Sequence, residues 1–539
     1  MKNILGKSNQ RVLLLGNEAI IRGALEVGVD FVSTYPGTPA SEIGDRFNEI
    51  VKSQPYIAKN LYFEFSVNEK VALEAGVGAS YCGLKTLVAM KNFGLNVCQD
   101  ALLPFVYTGS KGPTVIVVAD DPSCHSSAQS EQNSRPTSYL AHLPTLEPST
   151  PQECKDFIHL GFEISEKFKI PVMLRLTTRV AHQRAIVKLD KLVECKTKGK
   201  FIKDKNKFVT MPPRVLGMKE ELLEKIEKIR DFSELSPINK ISRGQASANL
   251  GIITSGVSYL YVVDALEELG LNLPVLKIGM FYPLLKKKII KFIKPLKKVL
   301  IVEELEPWLE KEINVLAKNV NPKLKVFGKN ILPITGELSP DIVLKAMAVF
   351  SNKKIKPLKE NKVLIPKRYP QPCPGCPYWL AFNAVKQAVD TKKVVFGGDI
   401  GCYMLAGTPC IALQDYLSCM GSSIGIAHGI KKSSSQKLIT FIGDSTFFHA
   451  GIPALINTVF NNSSPLIIVM DNQTTAMTGH QPNPGNKIKI EDIVKACGVK
   501  NLKVINPVKQ KEMVETIKNF IKKDEVSVII SRSPCLFIK

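Results

Sequence analysis

Two segments indicate the fold: LITFIGDS at residues 438–445 and LIIVMDN at residues 466–472. Each begins with apolar residues that favour strands and ends in small polar residues, which is typical of a buried strand running into a turn. In a parallel sheet, the carboxyl ends of neighbouring strands meet at one edge, where ligands bind. We therefore predict that Asp444 and the amide oxygen of Asn472 lie together at that edge and hold Mg²⁺, which prefers oxygen ligands.

An ordinary pair of turns would explain a lone Gly-Asp-Ser equally well, because these residues are common where strands end. Paired with Asp-Asn at this spacing, the motif resembles the signature of thiamine diphosphate enzymes, usually Gly-Asp-Gly followed by Asn-Asn. Ser445 and Asp471 depart from that signature. The resemblance implies that Gly443, Asp444, Ser445 and Asn472 hold the diphosphate and its metal, with the glycine allowing close approach of a phosphate.

The rest of the chain alternates short apolar runs with helical patterns, which predicts α/β domains with parallel sheets covered on both faces. One such series fills residues 1–190, and a Lys-rich linker with a short helix at Lys219–Ile229 follows at residues 191–245. A compact α/β domain is expected at residues 246–350. The last series, residues 351–539, contains the motif described above.

Composition sets limits on function. Hydrophobic residues make up 45% of the chain and the net charge is +23, which indicates a globular protein with a basic surface. That surface is either simply solvated or docks an acidic partner protein, and no nucleic-acid motif accompanies it. There is no apolar run of 18 residues and no apolar signal core, so we expect no membrane span and a cytoplasmic protein. Twelve cysteines then indicate thiols, metal or iron–sulfur ligation rather than disulfides.

A second part of a thiamine site is expected in the first domain. In thiamine enzymes a Glu from a separate α/β domain hydrogen-bonds the pyrimidine ring and thereby activates the cofactor. Glu69, within NEKVALEA at residues 68–75, matches that Glu, and Glu74 is its nearest competitor. The alternative for Glu69 is a surface residue in the first turn of a helix, where acidic side chains are favoured.

Several further segments resemble one family closely. They are residues 35–42, 90–96, 119–135, 373–377, 398–403, 443–451 and 471–481. Together they resemble the large subunit of the indolepyruvate ferredoxin oxidoreductase family, within the 2-oxoacid:ferredoxin oxidoreductase superfamily, and they cover nearly the whole chain in order. The resemblance implies a thiamin diphosphate-binding fold with two doubly wound parallel-sheet domains, one for the pyrimidine and one for the diphosphate. An intervening domain at residues 246–350 would be similar to the transketolase C-terminal domain.

The same resemblance implies an activity and further site residues. The family converts an aryl 2-oxo acid, coenzyme A and oxidised ferredoxin into acyl-CoA, carbon dioxide and reduced ferredoxin. Thr38 would lie near the substrate, and the backbone carbonyl of Thr474 would complete the metal shell. Gly421 and Ser422 open a helix whose N-terminus could hold phosphate oxygens. His125 is a catalytic candidate, although a His that stabilises a turn is an equal alternative.

Four cysteines match the positions that hold a [4Fe-4S] cluster in related oxidoreductases: Cys373, Cys376, Cys402 and Cys535. Taken alone, the Cys-x-x-Cys pair would fit zinc or a redox dithiol equally well, and the other two would pass for packing residues. The family's usual C-terminal ferredoxin-like module has no counterpart in the four residues after Cys535. We therefore expect electrons to leave through a separate ferredoxin-like subunit or through soluble ferredoxin.

The resemblance also implies a partner subunit, and two alternative functions stay open. The family pairs this chain with a smaller beta subunit, so we expect an α₂β₂ heterotetramer. A non-oxidative 2-oxoacid decarboxylase that uses thiamine is the alternative within the same chemistry. A non-catalytic assembly subunit or a basic nucleic-acid binder is the alternative from another class, and it would require the cofactor motif to be vestigial.

Overall fold

The structure is a computed structural model that describes residues 3–196, 198–242, 244, 249–355, 366 and 368–538. Contacts between residues divide the chain into two compact units, Met1–Lys359 and Glu360–Lys539. The two units are described separately below.

The first unit contains fourteen strands among the described residues: β1 (Arg11–Leu15), β2 (Phe31–Thr34), β3 (Tyr62–Phe65), β4 (Thr86–Lys91), β5 (Thr114–Asp120), β6 (Thr145–Leu146), β7 (Val172–Thr177), β8 (Arg184–Lys188), β9 (Lys240–Ser242), β10 (Leu250–Ser255), β11 (Val275–Ile278), β12 (Met280–Tyr282), β13 (Lys298–Val302) and β14 (Lys325–Phe327). Its described α-helices are α1 (Gly16–Glu26), α2 (Ser41–Ser53), α3 (Glu69–Tyr81), α4 (Asn92–Thr108), α5 (Arg135–Leu140), α6 (Pro151–Phe168), α7 (Thr178–His182), α8 (Lys205–Phe208), α9 (Arg214–Leu235), α10 (Ser258–Glu268), α11 (Lys286–Ile293), α12 (Trp308–Val320) and α13 (Pro340–Ser351).

The main sheet of the first unit has seven strands in the order β12-β6-β7-β5-β4-β2-β3. All neighbours in it are parallel except β12, which pairs antiparallel with β6 at one edge. Every residue of β5 and β7 is buried. Continuous apolar runs of this kind, rich in β-branched residues, are expected for strands covered on both faces.

A five-stranded sheet follows in the order β14-β13-β10-β11-β9. Because β12 leaves this second series to join the main sheet, the two larger sheets of the first unit are interlocked. Arg135 ties them further: its buried guanidinium donates to Glu147 at 2.7 and 2.8 Å and to Glu303 at 3.0 Å. A buried charge needs such partners to offset its loss of solvation.

The second unit has one parallel sheet in the order β15-β16-β17-β19-β18. Its strands are β15 (Val394–Gly397), β16 (Lys437–Gly443), β17 (Leu466–Asp471), β18 (Asn501–Ile505) and β19 (Ser527–Arg532). Its described α-helices are α14 (Pro377–Ala388), α15 (Ser422–Ser433), α16 (Asp444–Thr446), α17 (Ile452–Phe460), α18 (Ile490–Ala496) and α19 (Gln510–Phe520). Helix α14 packs on α19, and α15 packs on α17 and β16.

The predicted α/β fold with parallel sheets is confirmed, and two local predictions are wrong. The first strand was expected in the parallel sheet, but β1 pairs antiparallel with β8 in a separate two-stranded sheet. One side of that ribbon faces solvent, as exposed Leu13 and Ile186 indicate. The short helix expected at Lys219–Ile229 is the 22-residue α9, because its buried stripe continues beyond both predicted ends. The domain boundaries within the first unit stay a prediction.

A search of the described residues found no helix that is both long enough and apolar enough to cross a membrane.

Candidate functional site

The polar strand ends of the second unit lie side by side. In the pairing of β16 with β17, Gly443 is opposite Met470, so the next residues, Asp444 and Asp471, follow at the same edge. Asp444 opens α16, and the turn at residues 471–474 follows β17. The structure therefore brings together the two segments that the sequence paired.

Asp444 is a buried carboxylate with neutral hydrogen-bond donors. The backbone NH of Ser445 donates to its Oδ1 at 2.8 Å, and the side-chain amide of Asn483 donates to its Oδ2 at 3.0 Å. Burial raises the pKa of Asp444 to about 7, and the charge of neighbouring Asp471 adds to the shift. A cation at this position would restore the charged form, because opposite charge lowers the pKa of a carboxyl group. The residues present thus fit a hard divalent metal.

Asp471 has its own cation, so it is less suited to hold a metal. The guanidinium of Arg532 lies 2.6 Å from its carboxylate and also forms a two-pronged pair with Glu491. The other predicted ligands, Asn472 and Thr474, are buried in the same turn, where Asn472 Oδ1 accepts from the backbone NH of Thr474 at 3.3 Å.

Gly443 packs closely against an aromatic ring. A Cβ atom at Gly443 would lie 2.6 Å from Cε1 of Tyr403, so the Tyr403 ring occupies the space that a side chain would need. The Tyr403 hydroxyl donates to the carbonyl of Ile400 at 2.7 Å. The prediction that Gly443 allows a phosphate to approach closely stays a prediction, and the missing side chain also makes room for the Tyr403 ring.

Sequence reasoning missed Asp399, which organises the start of α15. Its buried carboxylate accepts from the backbone NH groups of Ile400, Gly421 and Ser423 at 2.7, 2.8 and 2.9 Å. Burial raises the pKa of Asp399 to about 6 despite these donors. The NH of Ser422 donates to the carbonyl of Cys419. The phosphate role of Gly421 and Ser422 stays a prediction, and these amides already have partners in the chain. A Gly-Asp after a strand, repeated at 398–399 and 443–444, was the signal available.

The four predicted cluster cysteines are neighbours in the second unit. Burial raises the pKa of Cys402 to about 11, and the charges of Cys376, Cys535 and Cys373 add to that shift. Such mutual effects require the four sulfur atoms to lie within interaction range of one another. Among the described residues, however, no group of three or more His, Cys, Asp or Glu side chains is arranged as a formed metal site.

These cysteines adjoin the strand-end carboxylates. The backbone NH of Cys535 donates to the carbonyl of Asn472 at 3.1 Å. Tyr403, next in the chain after Cys402, packs on Gly443. The thiols and the Asp444 edge therefore share one region of the second unit.

In the first unit, Glu69 opens α3 and is buried, with 5% of its surface exposed. Its competitor Glu74 keeps half of its side chain exposed and faces Lys70 at 3.9 Å. The Glu69 side chain lies across Gly94 in the first turn of α4, where an added Cβ would come within 2.9 Å of its carboxyl carbon. Burial therefore separates the two candidates and favours Glu69.

Thr38 and His125 lie on loops that touch each other. Ser126 Oγ is 3.4 Å from the carbonyl oxygen of Thr38, and the Thr38 hydroxyl is 3.4 Å from Ser41 Oγ. His125 is more than half exposed and has its Nε2 3.6 Å from Glu337, which also pairs with Arg179 at 2.6 Å. The catalytic role of His125 stays a prediction, and its contact with Glu337 supports the alternative of a loop-stabilising His.

Three families match consecutive parts of the chain. One described as "Pyruvate flavodoxin/ferredoxin oxidoreductase, thiamine diP-bdg" matches residues 22–236. An "Indolepyruvate oxidoreductase domain" matches residues 240–344, and "Thiamine pyrophosphate enzyme, C-terminal TPP binding domain" matches residues 399–531.

Curated relatives match along nearly the whole chain. "Indolepyruvate oxidoreductase subunit IorA" of Methanothermobacter thermautotrophicus is 42% identical and covers 98% of this chain and 88% of that protein. The proteins of the same name from Pyrococcus horikoshii and Archaeoglobus fulgidus are 41% and 39% identical, each over 98% of this chain, and over 86% and 87% of their own length.

A solved structure shares the fold. The 2-oxoglutarate:ferredoxin oxidoreductase from Magnetococcus marinus superposes with a TM-score of 0.51 at 16% identity, over 64% of this chain and 65% of that one.

The close packing of Glu69 on Gly94 is testable by substitution. Gly94→Ala should lower the free energy of unfolding by about 1–3 kcal/mol, because the new methyl group overlaps the Glu69 side chain. Gly78→Ala is the matched control: it lies in α3 with open space around it and should raise stability by roughly 0.5–1 kcal/mol. Chemical denaturation of both variants measures the difference. Equal effects would contradict the described packing.

Proposed function

Because this chain belongs to the indolepyruvate oxidoreductase family of thiamine-dependent 2-oxoacid oxidoreductases, we propose that it catalyses the oxidative decarboxylation of an aryl 2-oxo acid of the indolepyruvate type. The products are acyl-CoA and carbon dioxide, and the electrons pass to ferredoxin. The names of the relatives support the substrate class.

One hydrogen bond supports the proposal that decarboxylation is coupled to the export of electrons. The NH of Cys535 is bonded to the carbonyl of Asn472, so a cysteine group and the cofactor anchor are held by the same turn. One-electron acceptors must lie close to the group that they oxidise. A cysteine bonded to the anchor turn and within electrostatic range of Cys402 supports an oxidative reaction over simple decarboxylation.

The residues of the anchor would hold the cofactor in the following way. Asp444, Asn472 and the carbonyl of Thr474 would supply hard oxygen ligands for Mg²⁺, a cation that neutralises phosphate charge. Ser445, with Gly421 and Ser422 at the start of α15, would hold the diphosphate. Thiamine diphosphate, when bound, supplies the electron sink for loss of carbon dioxide.

Glu69 would accept or donate the hydrogen bond at the pyrimidine end. A buried carboxylate suits that task, because a hydrogen bond is strengthened where water is excluded. Thr38, half-buried on its loop, would donate its hydroxyl to a substrate oxygen. His125 is kept as a further candidate at the same end of the sheet.

A [4Fe-4S] cluster would be held by Cys373, Cys376, Cys402 and Cys535, the number and type of ligand that such a cluster requires. The fit rests on their mutual proximity, since each of the other three contributes to the raised pKa of Cys402. Binding of iron would require the thiolates, and a metal stabilises the deprotonated form.

The working assembly is proposed to be an α₂β₂ heterotetramer with the smaller beta subunit, in the cytoplasm. Coenzyme A is the acyl acceptor, and ferredoxin or a ferredoxin-like subunit takes the electrons. The net charge of +23 would speed the approach of an acidic electron carrier by steering.

The activity is tested on the purified two-subunit complex under anaerobic conditions. With thiamine diphosphate and Mg²⁺, indolepyruvate should reduce a viologen dye only when coenzyme A is present, and faster than pyruvate or 2-oxoglutarate does. Aldehyde formation without dye reduction would instead identify a non-oxidative decarboxylase.

The anchor is tested by Asp444→Ala. Loss of the charged metal ligand should weaken Mg²⁺-dependent binding of thiamine diphosphate by at least about 100-fold, measured by titration calorimetry. Asp390→Ala, which removes an exposed carboxylate of the same unit, should leave the affinity unchanged. Stoichiometric, tight cofactor binding by Asp444→Ala would refute the assignment.

The cluster is tested by Cys376→Ser. This variant should lose iron and the EPR signal that the dithionite-reduced complex shows, because a hydroxyl is a poor replacement for a thiolate ligand. Cys497→Ser, at a half-buried thiol of the same unit whose pKa shift comes from burial alone, should keep both. Full iron content in Cys376→Ser would exclude that ligand.

A further inference from the structure

Lys91 is a cation for which the sequence analysis predicted no role, although it lies in the segment at residues 90–96. It is the last residue of β4, at the carboxyl end of the main sheet. Its aliphatic stem packs against Gly37, next to Thr38, where Cδ lies 2.9 Å from the position of an added Cβ. Electrostatic interaction also links it to Glu69. Lys91 is therefore close to Thr38 and to Glu69.

The Lys91 ammonium has hydrogen-bond partners but no adjacent anion. Its Nζ donates to Ser127 Oγ at 2.9 Å and, weakly, to the carbonyl of Ser126 at 3.4 Å. Within the described ranges, no carboxylate comes within 4.0 Å of it. An ammonium has three donors, so one N–H remains for a ligand.

The carboxylate with the largest electrostatic effect on Lys91 is Asp121, and it has hydrogen-bond partners of its own. Asp121 accepts from Thr178 Oγ1 and Ser127 Oγ at 2.7 Å each and from the NH of Ser126 at 2.8 Å. Burial would raise the pKa of Asp121, but these hydrogen bonds hold it below its usual value. Ser127 thus separates a fixed anion from the Lys91 cation.

The negative charges that act on Lys91 offset its burial only in part. Burial lowers the pKa of Lys91, and the charges of Asp121, Glu69 and Cys124 offset that effect only in part. The Phe93 ring, 4.9 Å from Nζ, provides a further favourable contact and an aromatic flank. A half-buried cation of this kind is stabilised when a ligand brings an anion.

We propose that the ammonium of Lys91 binds the carboxylate of the 2-oxo acid substrate. This inference rests on the proposed function and names the group that recognises the acid. Its position beside Thr38 would allow the two side chains to hold the carboxylate and the adjacent oxygen together.

A lysine suits this task because its electrostatic attraction to the substrate carboxylate ends when that group leaves as carbon dioxide. The bond between the carboxyl carbon and the carbonyl carbon breaks, and its electron pair stays with the former carbonyl carbon. The carboxylate leaves as neutral carbon dioxide, while Lys91 keeps its proton throughout. Charge attraction therefore favours the bound acid and does not retain the product.

Steady-state kinetics of the two-subunit complex test the inference. Lys91→Met should raise KM for indolepyruvate by about 10- to 100-fold, the effect expected for loss of a charge-assisted hydrogen bond. Lys91→Arg should recover most of that affinity because it keeps the positive charge. Thiamine diphosphate affinity should stay unchanged in both. Lys91→Gln, polar and of similar length, replaces the methionine variant if that one does not fold.

Lys70→Met is the matched control, since Lys70 follows Glu69 directly but is exposed and paired with Asp100 at 2.6 Å. Its KM should not change. An unchanged KM in folded Lys91→Met or Lys91→Gln would overturn the inference, and a loss confined to kcat would overturn it too, by giving Lys91 a role toward Glu69. Failure of the unmodified complex to oxidise any 2-oxo acid would overturn the proposed function itself, a separate result.

Discussion

The structure depends on one constraint: acidic side chains at the carboxyl ends of buried parallel strands must find positive charge or NH donors. In the second unit three strand ends meet this demand differently. Asp471 pairs with Arg532, and Asp399 takes three backbone NH groups around the start of α15. Among the described residues, the donors to Asp444 are all neutral, and its pKa is raised to about 7. The strand end with the least compensation is the one suited to a metal ion.

At the carboxyl end of the main sheet in the first unit, the acidic side chains have partners, and a cation has no direct ion pair among the residues described. Asp120 pairs with Arg175 at 2.7 Å, and Asp121 is satisfied by hydroxyl and NH donors. Lys91, at the end of the neighbouring strand, is left without a direct ion pair among the residues described. One unit therefore offers a carboxylate that needs a cation, and the other a cation that needs an anion.

The chain has the fold of its family, but the motifs did not reveal which side chains surround the candidate metal site. The Tyr403 ring occupies the space that a side chain at Gly443 would need. Tyr403 follows Cys402, so the same glycine also sets how near the cysteine segment comes to the anchor. Asn483, far from either motif, holds the Asp444 carboxylate. These contacts join segments distant in the chain, and no local pattern encodes them.

The sequence by itself determined the α/β class, the strand ends at Gly443-Asp444 and Asp471-Asn472, and the family, because apolar runs and turn residues are local signals. Only the tertiary structure decided which acidic residues are compensated, that Glu69 is buried while Glu74 is exposed, and that Lys91 has no adjacent carboxylate among the described residues. It also decided that β1 leaves the main sheet for β8. The physical reason is that burial and charge pairing depend on neighbours brought together by folding, and not on neighbours in the chain.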